Sequence, residues 1–123
     1  MRYSKFTYKL FISLSITVFT FLTASADTDI SSDITENTTW DLAGSPYILT
    51  GYIDVTSPDD PVLIVEAGVE VRFNSNASLR IGNNTYSENM GGLMVQGTEA
   101  DPVLFTSNAA TPAPGDWGYI YFM

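Results

Sequence analysis

The chain has 123 residues with 14 acidic and 5 basic side chains, no histidine and no cysteine. Those absences exclude a Ser-His-Asp triad, an imidazole general base, imidazole or thiolate metal ligands, and disulfide cross-links. A net charge of −9 argues against nucleic acid and anionic lipid as partners.

Residues 1–26 have the pattern of a secretory signal. Arg2, Lys5 and Lys9 form a basic start, Leu10 to Leu22 an uncharged apolar run, and Ala24-Ser25-Ala26 a small-residue cleavage site before Asp27. The apolar run is shorter than the roughly 20 residues a spanning helix needs. The expectation is therefore cleavage, export to the cell surface or medium, and no membrane span in the mature chain. After residue 26, two basic and 14 acidic side chains remain, a net charge of −12. A stacked sheet core must then hold a cysteine-free secreted chain together.

Residues 27–38 are polar and acidic, with only two isoleucines, and read as a flexible leader. Structure is expected from about Thr39 or Trp40, so the domain boundaries are 1–26, 27–38 and 39–123. From there the chain repeats one short phrase. Runs of three to five residues alternate aliphatic with other side chains, and small or polar residues turn the chain between them. The runs are Tyr47–Thr50, Tyr52–Val55, Val62–Val65, Val69–Phe73, Ser78–Ile81, Leu93–Val95, Val103–Thr106 and Tyr119–Phe122. Four aliphatic residues at Val62–Val65 predict burial on both faces. Gly82–Gly92 and Ser107–Pro114 read as loops protruding at corners.

Strands this short cannot bury themselves, and a repeating chain covers them by stacking on itself. Three strands per coil fit the spacing. Val69–Phe73 is predicted to lie under Val103–Thr106, with Val71 near Leu104 or Phe105. Ser78–Ile81 is predicted to lie under Tyr119–Phe122, with Leu79 and Ile81 near Ile120 and Phe122. The coils would be about 4.8 Å apart. The fold class expected is all-β, a right-handed parallel β-helix, of which the chain holds the first few coils.

Four ordered phrases carry a family resemblance. They are Leu63-Ile64-Val65-Glu66-Ala67-Gly68-Val69-Glu70-Val71-Arg72-Phe73, Gly92-Leu93-Met94-Val95-Gln96-Gly97-Thr98, Asp101-Pro102-Val103-Leu104-Phe105-Thr106-Ser107 and Pro114-Gly115-Asp116-Trp117-Gly118. The chain resembles the right-handed parallel β-helix repeat proteins of pectin-lyase-like fold, from near Tyr47 onward. It departs from their pattern at Ala67, where proline is more frequent, and at Tyr119, where a second glycine is common. The Tyr119 side chain is expected to alter how closely the next coil packs. Family members run for many coils, and no capping segment precedes Met123, so the resemblance implies a chain truncated at its C-terminus. The alternative is a short protein that self-associates through its open last coil.

The same resemblance implies candidate chemistry, since β-helix lyases use carboxylates with Ca²⁺ and a basic residue. Asp54, Asp59 and Asp60 would suit Ca²⁺ as hard oxygen ligands, with Arg72 or Arg80 as base. Ordinary turn chemistry at Asp59 and Asp60, and pairing of Arg72 with Glu70, is the preferred reading. Asp116-Trp117 invites sugar stacking, but a corner tryptophan packed over the preceding loop, with Asp116 bonding the turn backbone, is the preferred reading. Tyr119 and Tyr121 are the best candidates for exposed aromatic rings. No catalytic residue, resident metal or cofactor is assigned. The function expected is a structural, adhesive or carbohydrate-contacting role without catalysis. The alternative is the N-terminal part of a polysaccharide lyase or glycoside hydrolase whose active site lies in further coils. A gene remnant without a function of its own is the third reading.

Overall fold

The computed structural model describes residues 26–85 and 89–123. The expected signal segment, except Ala26, lies outside the described residues, as do Tyr86, Ser87 and Glu88 of the first predicted loop.

Strands succeed one another with almost no helix. The first coil holds β1 (Thr28–Ile30), a bridge at Ile34 and β2 (Thr38–Trp40). A short 3₁₀ turn, Leu42–Gly44, leads into the second coil, made of β3 (Tyr47–Leu49), β4 (Tyr52–Val55) and β5 (Val62–Val65). The third coil is β6 (Glu70–Phe73), β7 (Ser78–Ile81) and β8 (Gly92–Val95). The fourth begins with β9 (Leu104–Ser107) and β10 (Ile120–Phe122). Corresponding strands pair in parallel to make three sheets, in the orders β1-β3-β6-β9, β4-β7-β10 and β2-β5-β8. This is a parallel β-helix with three strands per coil.

The predicted register is the observed one. Val71 is opposite Phe105, Leu79 opposite Ile120, and Ile81 opposite Phe122. Period-two alternation sends every second side chain inward, so in-register stacking produces columns of like residues. Leu49 stacks on Phe73, Val55 on Ile81, Trp40 on Val65, and Leu63 on Leu93. Leu49, Val55, Leu63, Val65, Val69, Val71, Phe73 and Leu79 are wholly excluded from solvent. Full burial of each such aliphatic or aromatic side chain contributes about 1.5–3 kcal/mol.

Two corners show why particular residues occupy them. Gly68 turns the chain at φ 76°, a left-handed conformation that side chains with a Cβ disfavour. At the first long corner, Trp40 and Tyr47 stack with ring centroids 4.9 Å apart. The Tyr47 hydroxyl accepts a hydrogen bond from the Asp41 amide and donates one to the Asp41 carboxylate.

Two sequence expectations need correction. Residues 27–38 are not an unstructured leader. β1 pairs with β3 from Thr28↔Tyr47 to Ile30↔Leu49, Ile34 is 7% exposed, and Thr38 opens β2. Composition misleads here because the polar side chains bond to the backbone of the next coil. Asp33 Oδ1 accepts the Asp54 amide and Asn37 Oδ1 accepts the Val62 amide, each at 2.9 Å. Ile34 joins the core and Ile30 packs against it. The second correction concerns β5, where only Leu63 and Val65 are fully buried while Val62 and Ile64 are half-covered. The outer face of that sheet carries no second layer among the described residues.

Candidate functional site

The inward columns are used up by packing, so recognition chemistry falls to the outward positions and the corners. The outer face of the sheet β4-β7-β10 gathers most of it. Tyr52 is opposite Ser78, and Asp54 is opposite Arg80, which is opposite Tyr121. Tyr119 sits just before β10, where its amide donates to Ser78 Oγ at 3.3 Å and its carbonyl accepts from the Leu79 amide at 2.9 Å. Tyr52, Tyr119 and Tyr121 are 59%, 47% and 51% exposed. Three rings therefore stand in solvent on a hydrogen-bonded, in-register sheet.

An ion pair lies among them. Arg80 donates Nε to Asp54 Oδ1 at 2.5 Å and Nη2 to Asp54 Oδ2 at 2.7 Å. This fork-to-fork geometry fixes the guanidinium plane. The Asp54 hydrogen bond chiefly holds the guanidinium more firmly protonated than usual, with added attraction from Asp54 and Asp33 and some offset from burial. The guanidinium carbon is 5.5 Å from the Tyr52 ring centroid, within cation–π range. Tyr119 and Tyr121 meet edge to face at 6.0 Å. Gly118 permits this arrangement, because a Cβ there would lie 2.0 Å from Ser78 Oγ. Tyr119 is thus an outward residue of the last coil described, beside the edge strand β10.

The other arginine takes the pairing read from sequence. Arg72 Nε is 2.8 Å from Glu70 Oε1 on the outer face of β6. That pair lines an open groove of about 450 Å³ with Leu104, Thr106 and Pro112. At the adjoining corner, Asn108 Nδ2 donates to Asn74 Oδ1 at 2.8 Å, joining two coils.

The aspartates that would suit Ca²⁺ are not gathered. Asp54 is engaged with Arg80, while Asp60 Oδ1 accepts the Met90 amide at 3.1 Å and the Asp59 amide donates to Ser57 Oγ. Among the described residues no group of three or more carboxylates is placed to hold a metal. Trp117 packs flat on Phe73, with ring centroids 4.1 Å apart, so one of its faces is committed to the core. Asp116 Oδ2 accepts the Ala113 amide at 2.7 Å. That bond, with help from Ser107, keeps the Asp116 carboxyl below its ordinary value of 3.8.

The sequence points to Tyr119 and Tyr121 but not Tyr52, and it offers Asp54 and Arg80 as calcium ligand and base of one candidate site rather than as partners in an ion pair. The signal was available. The register that set Ser78–Ile81 under Tyr119–Phe122, carried one coil back, sets Tyr52–Val55 beneath both.

A family profile described as pectate-lyase like beta helix domain matches residues 32–123. No curated protein and no solved structure gives a significant match. With three parallel ladders in register and a profile match over most of its length, the chain belongs to the pectate-lyase-like beta helix family.

Proposed function

We propose that the chain is an exported, cell-surface or extracellular β-helix segment that contacts carbohydrate through its tyrosine face and performs no chemistry itself. The observation that carries this reading is the set Tyr52, Tyr119 and Tyr121, each about half exposed around a fixed Arg80–Asp54 pair. Aromatic rings offer apolar faces to the C–H surfaces of sugar rings, while their hydroxyls and the ion pair offer hydrogen bonds to sugar hydroxyls. A hydrogen-bonded sheet presents those groups without a backbone ordering cost on binding. The absence of catalysis is supported by the state of the two arginines, each tied to a carboxylate and so poorly placed to accept a proton. Export is supported by the signal-like N-terminus.

Retention of the purified chain in polysaccharide-impregnated gels tests the binding role. The triple variant Tyr52→Ala/Tyr119→Ala/Tyr121→Ala should lose retention while keeping its circular dichroism spectrum. Retention equal to that of the parent chain removes the tyrosine face from consideration. Release of unsaturated products or new reducing ends in the same incubations overturns the non-catalytic part. Export is checked by N-terminal sequencing of the protein from the culture medium or cell surface, which should begin at Asp27.

A further inference from the structure

Building on the carbohydrate reading above, we infer that the tyrosine face takes an uncharged, hydroxyl-rich polysaccharide and rejects polyuronates and sulfated chains. Arg72 and Arg80 are the only cationic side chains among the described residues. Neither is free. Arg80 is forked onto Asp54 at 2.5 and 2.7 Å, and Arg72 onto Glu70 at 2.8 and 3.2 Å. A further carboxylate adds to the field at each, Asp33 at Arg80 and Asp27 at Arg72. Each guanidinium therefore sits in a locally negative surrounding, on a chain with 14 acidic residues.

An anionic sugar has two routes to this face, and both are unfavourable. It can displace Asp54 from Arg80, leaving a carboxylate that is only 18% exposed without its counter-charge. Otherwise it must approach a surface that already carries excess negative charge. A neutral sugar meets neither obstacle. Two of the five Arg80 N–H groups are committed to Asp54, so the remaining donors can reach hydroxyl oxygens. Asp54 keeps lone pairs for hydroxyl donors. The tyrosine hydroxyls donate and accept, and their rings supply the apolar contact.

Affinity electrophoresis of the full chain tests this. The gels would contain a neutral β-glucan, a neutral galactomannan, polygalacturonate or a sulfated galactan, each at low and high salt, with EDTA or with Ca²⁺. Retention by a neutral polysaccharide should be insensitive to salt and should weaken by about tenfold in Tyr52→Ala/Tyr121→Ala, the scale of two lost aromatic contacts. Asp54→Asn, which frees the Arg80 charge, should raise retention by polygalacturonate several-fold. Tyrosine-dependent retention by polygalacturonate or sulfated galactan that equals or exceeds the neutral value, with or without Ca²⁺, overturns the inference and leaves the carbohydrate role standing. No retention by any of the four overturns both.

Discussion

Trp117 lies flat against Phe73, with ring planes 17° from parallel. Phe73 is fully enclosed in the third coil, whereas Trp117 belongs to the corner that leads into β10. Phe105 meets Phe73 from another side at 6.5 Å. The stack therefore anchors the long connection between β9 and β10 to the interior.

Removing the indole should show the weight of that anchor. Trp117→Ala is expected to lower the unfolding free energy by about 2 kcal/mol. This is less than the 3–5 kcal/mol of a fully buried aromatic, because Trp117 keeps partial exposure. The midpoint of urea unfolding measures it, and Trp117→Phe should recover most of the difference. An unchanged midpoint would mean that the connection is held by its hydrogen bonds alone.

Close approach at Gly91 makes a second prediction. A Cβ at that position would stand 1.9 Å from the Val55 carbonyl oxygen, a backbone atom that cannot swing aside. Gly91→Ala should destabilise the protein by roughly 2 kcal/mol or more through backbone displacement. Gly51→Ala is the control, since nothing lies within 4 Å of its added methyl. Its midpoint should stay within about 0.5 kcal/mol of the parent. Equal effects at both positions would count against the described coil spacing.

The first coil can be tested through Ile34. Its amide donates to the Asp54 carbonyl at 2.8 Å, its carbonyl accepts the Thr56 amide at 3.1 Å, and its side chain is in the core. Ile34→Ala should cost about 2–3 kcal/mol, and the Ile34 and Thr56 amides should exchange slowly with deuterium. A silent substitution with fast exchange would restore the picture of an unstructured leader.

Acid should loosen the corner around Asp116. Its carboxyl titrates below the ordinary 3.8 in the folded chain, chiefly because the Ala113 amide bonds the charged form. The unfolded chain therefore binds a proton first as pH falls. The carboxylate's contribution is complete above about pH 4 and is lost as pH drops through the folded value. Because the group is open to solvent, the effect is small. Carboxyl-carbon NMR titration should give a midpoint below 3.8, and Asp116→Ala should remove the local amide shifts at Ala113. A midpoint at or above the ordinary value would contradict the bond.

How much was legible in the sequence follows from the range of each interaction. Val71 over Phe105 and Leu79 over Ile120 could be read from alternation and corner spacing, because both are properties of neighbouring residues repeated along the chain. The Glu70–Arg72 pair was legible for the same reason, being two positions apart on one strand. Asp54–Arg80 was not, since its partners are 26 positions apart and meet only once the register of two coils is fixed. Residues 27–38 were hidden differently. Their order comes from backbone pairing and from Asp33 and Asn37 acting as acceptors, and composition records neither. A packed corner at Trp117 was legible from the turn chemistry of Asp116, but its stacking partner Phe73 was not, because the two meet only once the coils are stacked.

The in-register ladders also determine where this chain tolerates a change in length. One residue added between Glu70 and Val71 would swing Val71 and Phe73 into water and bring Arg72 into the interior, disturbing the coils paired on either side. The same residue added between Ser107 and Gly115 would lengthen a bulge and leave every rung in place. Insertions and deletions tolerated by the protein should therefore fall at its bends, so its outline can be reshaped while its cross-section stays constant.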